Sequence, residues 1–288
     1  MKPLISIGMP VFNGEPFISE AIQSLLAQSE PRFELIISDN KSTDKTIEIC
    51  NEYLKKDGRI KVIIQDKNRG ALYNFRQVLE KANGKFFLWA AADDKWSNNW
   101  LEKLLESHND NTSVTFGIVQ NITNEGIPFK TYKINNLKTK SIFSQIVYYL
   151  QEDTYGKANI IYGMYKTKLI KRIGLNVLGK VSYADDMLFV FNFLQYGDIY
   201  FNHSAIIYKR LPIYKQPDIS FYKIINRIII IDRIKTYFFY FKISNNLYFK
   251  FSFFILLPVK YILSLIYNFK LLFSSFTKIL RISISKKF

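Results

Sequence analysis

The sequence predicts an α/β protein: a mostly parallel central sheet flanked by helices, with a basic, aromatic, helical extension at its C-terminus. Three observations predict it. Strand-like and helix-like segments alternate over the first hundred residues, polar loops fall at successive strand ends, and the composition changes abruptly after residue 217.

The elements follow in order. Leu4–Met9 is a short apolar run ended by Pro10, and Ala21, Ile22, Leu25 and Leu26 then recur at helical spacing. Phe33–Ser38 reads as a second strand, and Thr43 or Asp44 as the N-cap of a helix continuing through Ile47–Leu54. Ile60–Gln65 is a third strand, Leu72–Ala82 a third helix closed by Gly84, and Phe86–Ala91 a fourth strand. Ligands of such sheets bind outside the carboxyl ends of the strands. Pro10–Gly14, Asp39–Asp44, Asp66–Gly70 and Asp93–Trp96 all lie there, so four polar loops converge on one edge.

Beyond residue 106 the rhythm is lost. Val114–Asn121 is strand-like, Lys130–Thr139 polar, Ser141–Leu150 helical and Ile160–Lys166 another strand. Asp185–Tyr196 reads as an apolar helix opening on two aspartates, and Ile199–Leu211 as a terminal strand. This division sets three expected parts: residues 1–105, 106–217 and 218–288.

At 288 residues the chain can bury a sizeable core, and its formal charge is +16. Residues 218–288 hold 12 Lys/Arg against 2 Asp/Glu, which calls for an anionic partner, lipid head groups or nucleic acid. Cys50 is the one cysteine, so an internal disulfide is impossible and a reducing compartment fits. His108 and His203 lack metal-ligand spacing and read as structural or surface residues. Met1-Lys2-Pro3 runs straight into a strand without a signal-peptide pattern.

The densest chemistry is in Phe86-Phe87-Leu88-Trp89-Ala90-Ala91-Ala92-Asp93-Asp94-Lys95-Trp96, where an apolar run ends in two carboxylates. Carboxylates delivered to a strand tip either meet a cation or cap a following helix. Hard divalent cations take a few such oxygens together with substrate phosphates. A second pair, Asp185-Asp186, sits where like charges can separate their proton affinities and leave one carboxylate as a base.

Several segments carry a family resemblance. Met9-Pro10-Val11-Phe12-Asn13-Gly14, Ala21 to Gln28, and Phe33-Glu34-Leu35-Ile36-Ile37-Ser38-Asp39-Asn40 through Asp44 resemble the nucleotide-binding half of family 2 glycosyltransferases. Asn68-Arg69-Gly70, Asn74, Gly84 and the acidic turn before Trp100-Leu101 continue the likeness. It covers residues 4–105 closely and 140–210 loosely, and implies the GT-A fold.

The resemblance assigns roles. Pro10, Phe12 and Asn13, with Glu15 nearby, would pack on the nucleotide base and ribose, and Asp39 would accept the uracil N–H. Asn68 and Arg69 would lie by the base or diphosphate. Asp44 is expected only to cap a helix. The acidic turn corresponds to the family's Asp-x-Asp motif with Ala91 at the first position, leaving Asp93 to hold Mn2+ or Mg2+ and Asp94 to meet sugar or ribose. Asp186, eleven residues before Gly197, would be the catalytic base, with Asp185 the alternative. Tyr162, Gly163 and Lys166 resemble an acceptor-facing segment, and Lys209 and Arg210 the basic strand end near the diphosphate.

Phe251–Phe269 is almost long enough to span a bilayer but contains Pro258, Lys260 and Asn268. In helical register Lys235, Lys242, Lys250, Lys260, Lys270, Lys278 and Arg281 fall within an arc of roughly 160°, the pattern of segments lying in a membrane interface.

The expectation is therefore a metal-dependent, inverting, non-processive glycosyltransferase on the cytoplasmic face of a bacterial membrane. It would pass a sugar from a nucleoside diphosphate donor, UDP-linked, to a lipid-linked saccharide in surface polysaccharide synthesis, with an anionic membrane surface as partner and no nucleic acid. A processive synthase would carry a Gln-x-x-Arg-Trp motif, and Trp occurs only at 89, 96 and 100. A sugar nucleotidyltransferase would carry a Gly-rich basic loop after the first strand, which is absent. A nucleic-acid-binding protein using the basic extension is the alternative from another class.

Overall fold

A computed structural model describes residues 2–139, 141–151, 155–173, 175–180, 184–211 and 230–285. The first half alternates as its pattern requires: β1 (Ile5–Val11), α1 (Ile18–Leu26), β2 (Phe33–Asp39), α2 (Thr46–Lys56), β3 (Ile60–Ile64), α3 (Ala71–Glu80) and β4 (Phe86–Trp89). Every residue of β2 and β4 is buried, which is why they read as unbroken apolar runs. Helix α1 buries Ile18, Ala21, Ile22 and Leu25, a single stripe at 3.6-residue spacing.

The strand order opens β3-β2-β1-β4, all parallel, so the order reverses at β1 and a crevice forms between the ends of β1 and β4. The second half adds β5 (Lys95–Trp96), α4 (Trp100–Glu106), β6 (Thr112–Ile122), β7 (Pro128–Tyr132), α5 (Ile142–Leu150), α6 (Tyr155–Ala158) and a 3₁₀ turn at Asn159–Tyr162. Next come β8 (Met164–Lys166), α7 (Thr167–Ile173), α8 (Asp185–Phe193) and β9 (Asp198–Arg210). Strand β8 joins antiparallel to β4 and β6, β9 runs parallel to β6, and β5 folds back antiparallel on the end of β9.

Four local expectations are corrected. The N-cap position of α2 is Lys45; Asp44 acts one residue earlier, accepting the Thr46 N–H at 3.1 Å. Gly84 does not close α3, which ends at Glu80; a Cβ there would stand 2.7 Å from the β1 backbone, so the glycine lets β4 enter the sheet. The polar stretch after residue 127 contains a strand, β7, paired with β6. Ile160–Lys166 is a 3₁₀ turn followed by a three-residue strand. Gly163 separates the two because a Cβ there would lie 2.8 Å from the Thr115 carbonyl oxygen.

The core centres on Trp89, whose ring meets Phe87, Tyr165 and Phe189 edge-on and whose Nε1 donates to the Phe75 carbonyl at 3.1 Å. His108 is structural as expected. It is half-buried, packs edge-on against Phe86, and desolvation pushes it down to about 4, with Lys166 and Lys85 adding to the effect.

The C-terminal part forms α9 (Ile230–Ile243) and α10 (Leu247–Ser285), a single helix through Pro258. These helices are not detached from the core. Tyr149 of α5 contacts the rings of Tyr237, Tyr240, Phe249 and Phe253. Lys260, expected among the head-group lysines, is instead buried and donates to the Gln151 carbonyl at 2.9 Å. The positive end of that side chain thus meets the negative C-terminal end of α5. Residues 218–229 and 286–288 of the expected extension lie outside the described residues.

Candidate active site

The crevice between β1 and β4 is a cleft of about 370 Å³. Its wall includes Pro10, Phe12, Phe17, Phe75, Asp93 and Tyr162. The loops after the neighbouring parallel strands β1 and β4 line it, together with Phe75 of α3 and Tyr162.

The β1 loop is held from behind. Asn13 takes a left-handed conformation (φ 53°); its Oδ1 accepts the Thr43 N–H at 2.9 Å and its own N–H donates to Ser42 Oγ at 2.8 Å. Asp44 Oδ2 accepts the Glu15 N–H, while Glu15 Oε2 accepts the Lys45 N–H, both at 3.1 Å. Asp44 is therefore a loop staple as well as an acceptor for the first turn of α2, and Glu15 is spent on the same job. Asn74 fixes the strand ends, donating to the carbonyls of Ser38 (2.7 Å) and Val11 (3.2 Å). The result leaves Phe12 about half exposed, with a ring face open at the cleft rim.

Asp39 is fully buried at the end of β2. Its Oδ2 accepts the Ser42 N–H at 2.9 Å, whereas Oδ1 has no partner among the described residues. A buried carboxylate oxygen without a donor calls for a ligand N–H. Asn68 and Arg69 do not line the cleft: Asn68 Oδ1 accepts from Asn40 and Gly70, and Arg69 pairs with Asp66 at 2.8 Å. Asn40, which the sequence did not single out, anchors this loop through both ends of its amide.

The acidic turn splits its two carboxylates. Asp94 is buried; its Oδ2 accepts from Lys209 Nζ and its Oδ1 from the Arg210 N–H, both at 2.9 Å. Asp94 therefore points inward and not toward sugar or ribose. Arg210 donates Nε to the Asp93 carbonyl at 2.9 Å, and its other nitrogens reach the carbonyls of Thr123 and Asn124 and the carboxylate of Glu20. Lys95 meets the same Glu20 at 2.7 Å. Lys209 and Arg210 thus clamp the turn from within, where a diphosphate-facing position was expected. Burial works against the Lys209 charge, but Tyr162, Asp94 and Asp93 more than offset it and hold the ammonium above its ordinary value.

With Asp94 fixed, Asp93 is presented outward. Its carboxylate is exposed on the cleft wall and carries no hydrogen bond or ion pair among the described residues. No group of three or more His, Cys, Asp or Glu side chains that could hold a metal occurs among them. One hard carboxylate beside a space for phosphate oxygens is a donor set that suits Mg2+ or Mn2+.

Tyr162 forms the opposite wall, with Lys209 Nζ 4.6 Å from its ring centre. Burial pushes its hydroxyl up, Lys209 pulls it back, and Asp94, Asp93 and Asp186 push it further up. Asp186 thus lies within electrostatic reach of Tyr162 but is not itself among the residues lining the cleft. Asp186 is the second residue of α8, which opens at Asp185 next to Ala184, whose left-handed backbone (φ 57°) costs on the order of 1 kcal/mol. Asp185 is turned the other way, accepting the Gly179 N–H at 2.8 Å.

Two expected acceptor residues fall elsewhere. Gly163 is packed against Val114 and Thr115. Lys166 pairs with Phe86, the first residue of β4, so it sits at the sheet edge remote from the cleft, where its Nζ meets the Asp110 carbonyl.

A switch-point cleft with an outward carboxylate and a second carboxylate at a helix start defines a nucleotide-diphospho-sugar transferase fold of the GT-A type. The profile of Glycosyl transferase family 2 matches residues 6–178, and the chain belongs to that family. Among its relatives is the putative teichuronic acid biosynthesis glycosyltransferase TuaG of Bacillus subtilis, 41% identical over 105 residues, which are 36% of this chain and 42% of that protein. Another is the poly(ribitol-phosphate) beta-glucosyltransferase of Bacillus spizizenii, 30% identical over 65% of this chain and 29% of that protein. The chain spans less than half the length of these relatives. Similar solved folds include S. aureus TarS with UDP (24% identity, TM-score 0.58, 73% of this chain and 61% of that one). The Pyrobaculum calidifontis mannosyltransferase PcManGT with GDP-Man and Mn2+ is another (13% identity, TM-score 0.58, 92% and 73%).

Proposed function

We propose that this protein is an inverting, non-processive glycosyltransferase that moves a sugar from a UDP-linked donor to a lipid-linked saccharide during cell-surface polysaccharide synthesis. The observation that carries the reading is the cleft at the β1–β4 switch point with the exposed Asp93 carboxylate on its wall, in a chain of glycosyl transferase family 2. The TuaG and poly(ribitol-phosphate) glucosyltransferase relatives support the polymer class, and the UDP complex of TarS supports the donor.

On this reading Phe12 stacks on the base and Asp39 Oδ1 accepts the ring N–H. Asp93 holds a divalent cation, Mn2+ or Mg2+, which when bound neutralises charge on the diphosphate. Asp186 accepts the proton of the acceptor hydroxyl as that oxygen bonds to the anomeric carbon. The bond to the diphosphate breaks on the opposite face, and the diphosphate leaves with the electron pair. Residues 1–105 then serve the donor, 106–217 the acceptor and 218–288 a membrane surface. The protein works peripherally on the cytoplasmic side of the bacterial membrane.

Asp186→Asn should lower transfer about 10²–10⁴-fold while donor affinity by calorimetry stays within about twofold. Near-normal turnover in that variant overturns the assignment, and Asp185→Asn serves as the matched control.

A further inference from the structure

The outward face of α10 has a consequence for how the protein sits on its membrane. Among the described residues one helical stretch, Leu247–Ile266, is long and apolar enough to cross a bilayer. Its two sides differ. Phe249, Phe253, Lys260 and Ser264 are buried against the protein. On the opposite side Phe251, Ile255, Val259, Ile262 and Ile266 recur at spacings of four, four, three and four, forming one stripe without a charge. Phe251 is 73% and Ile255 75% exposed. Helix α5, against which α10 packs, also exposes Phe143 and Val147.

We infer that this stripe is the membrane-contact face and that α10 lies in the plane of the bilayer interface without crossing it. The inference rests on the membrane reading above and adds the face and the orientation. A crossing would strip Phe249 and Phe253 from Tyr149 and pull Lys260 off the Gln151 carbonyl. An in-plane helix keeps all three contacts while sinking its free face among acyl chains.

Charge selects lipid over a second copy of the chain. From residue 233 to 288 there are ten Lys/Arg and no Asp or Glu. Two such faces pressed together would bring like charges close with no counter-charge, whereas anionic head groups supply it. Lys242 and Lys250, near the start of the stripe, lie over the rings of Phe239 and Phe241, at the depth where lysines meet head groups.

The test uses the full chain and vesicles of phosphatidylcholine with phosphatidylglycerol. Flotation should recover the native protein, and Phe251→Asn/Ile255→Asn/Ile262→Asn should bind at least tenfold more weakly with an unchanged circular dichroism melt. No binding by the native protein overturns both the membrane reading and this one. Native binding with an unaffected triple variant overturns only the assignment of the face. A native dimer that the triple variant converts to monomer assigns the stripe to a second copy and overturns the inference.

Orientation is read separately, by depth-dependent quenching of a fluorophore on Phe251→Cys or Ile266→Cys. Equal shallow depths are expected. A depth difference approaching about 22 Å, the rise over 15 helical residues, would show a crossing helix and refute the in-plane arrangement.

Discussion

Asp94→Asn isolates the clamp beneath the acidic turn. The Asp94 side chain is fully buried and Lys209 only 15% exposed, with 2.9 Å between the charged atoms. Neutralising one member of such a pair leaves a buried cation without its counter-charge, which costs about 3–5 kcal/mol. The asparagine amide still offers an oxygen to the Arg210 N–H, so the low end applies, about 3 kcal/mol. At roughly 2–4 °C per kcal/mol for a chain of this size, the melting temperature should fall by about 6–12 °C. Differential scanning calorimetry of the full chain measures it. Removing both charges, as Asp94→Asn/Lys209→Met, should recover most of the loss, because the cost is that of an orphaned charge. A single variant within about 1 kcal/mol of native, or a double variant no better than the single, refutes the reasoning.

Other outcomes follow from the same geometry. Asp93→Ala should weaken Mn2+-dependent nucleotide binding about tenfold or more by calorimetry, with little effect on melting, since its carboxylate has no partner to lose among the described residues. His108, neutral in the fold and pushed down from 6.5 to about 4, leaves the unfolded chain binding more protons between those values. Stability is therefore full above pH 6.5 and falls by about 3 kcal/mol as pH drops toward 4; urea midpoints should show this slope, and His108→Leu should flatten it. Cys50, whose thiol burial pushes up to about 12 with Asp39 and Asp44 adding to it, should resist iodoacetamide until the protein unfolds. Ala184→Gly should raise stability by about 0.5–1 kcal/mol in denaturant titration by relieving the left-handed backbone.

The parallel half was legible because each of its strands announces itself. Buried runs such as Phe86–Trp89 stop at polar loops, and periodicity brings those loops to one edge. What the sequence concealed were partnerships across long separations. Nothing local distinguishes Asp93 from Asp94; the difference is made by Lys209 and Arg210, more than a hundred residues later. Glu20 reads as an ordinary surface position of α1 until Arg210 reaches it. Lys166 was misplaced for a related reason. A strand's residues appear equivalent along its length, and only the antiparallel register of β8 reveals which end faces the cleft. Lys260 shows the limit of helical-wheel reasoning: its angular position matched the other lysines, but α5 occupies that side.

Strand β9 gives the acidic turn a history as well as a shape. Asp93 and Asp94 leave the ribosome early, yet the groups that orient them arrive 115 to 117 residues afterwards. Until β9 docks beside β6, the turn has no clamp and Asp94 no cation. Long-range closure of this kind is among the slower events in folding. The nascent chain would thus complete its first four strands before the acidic turn is clamped, so a product truncated before residue 209 would lack the cation that holds Asp94.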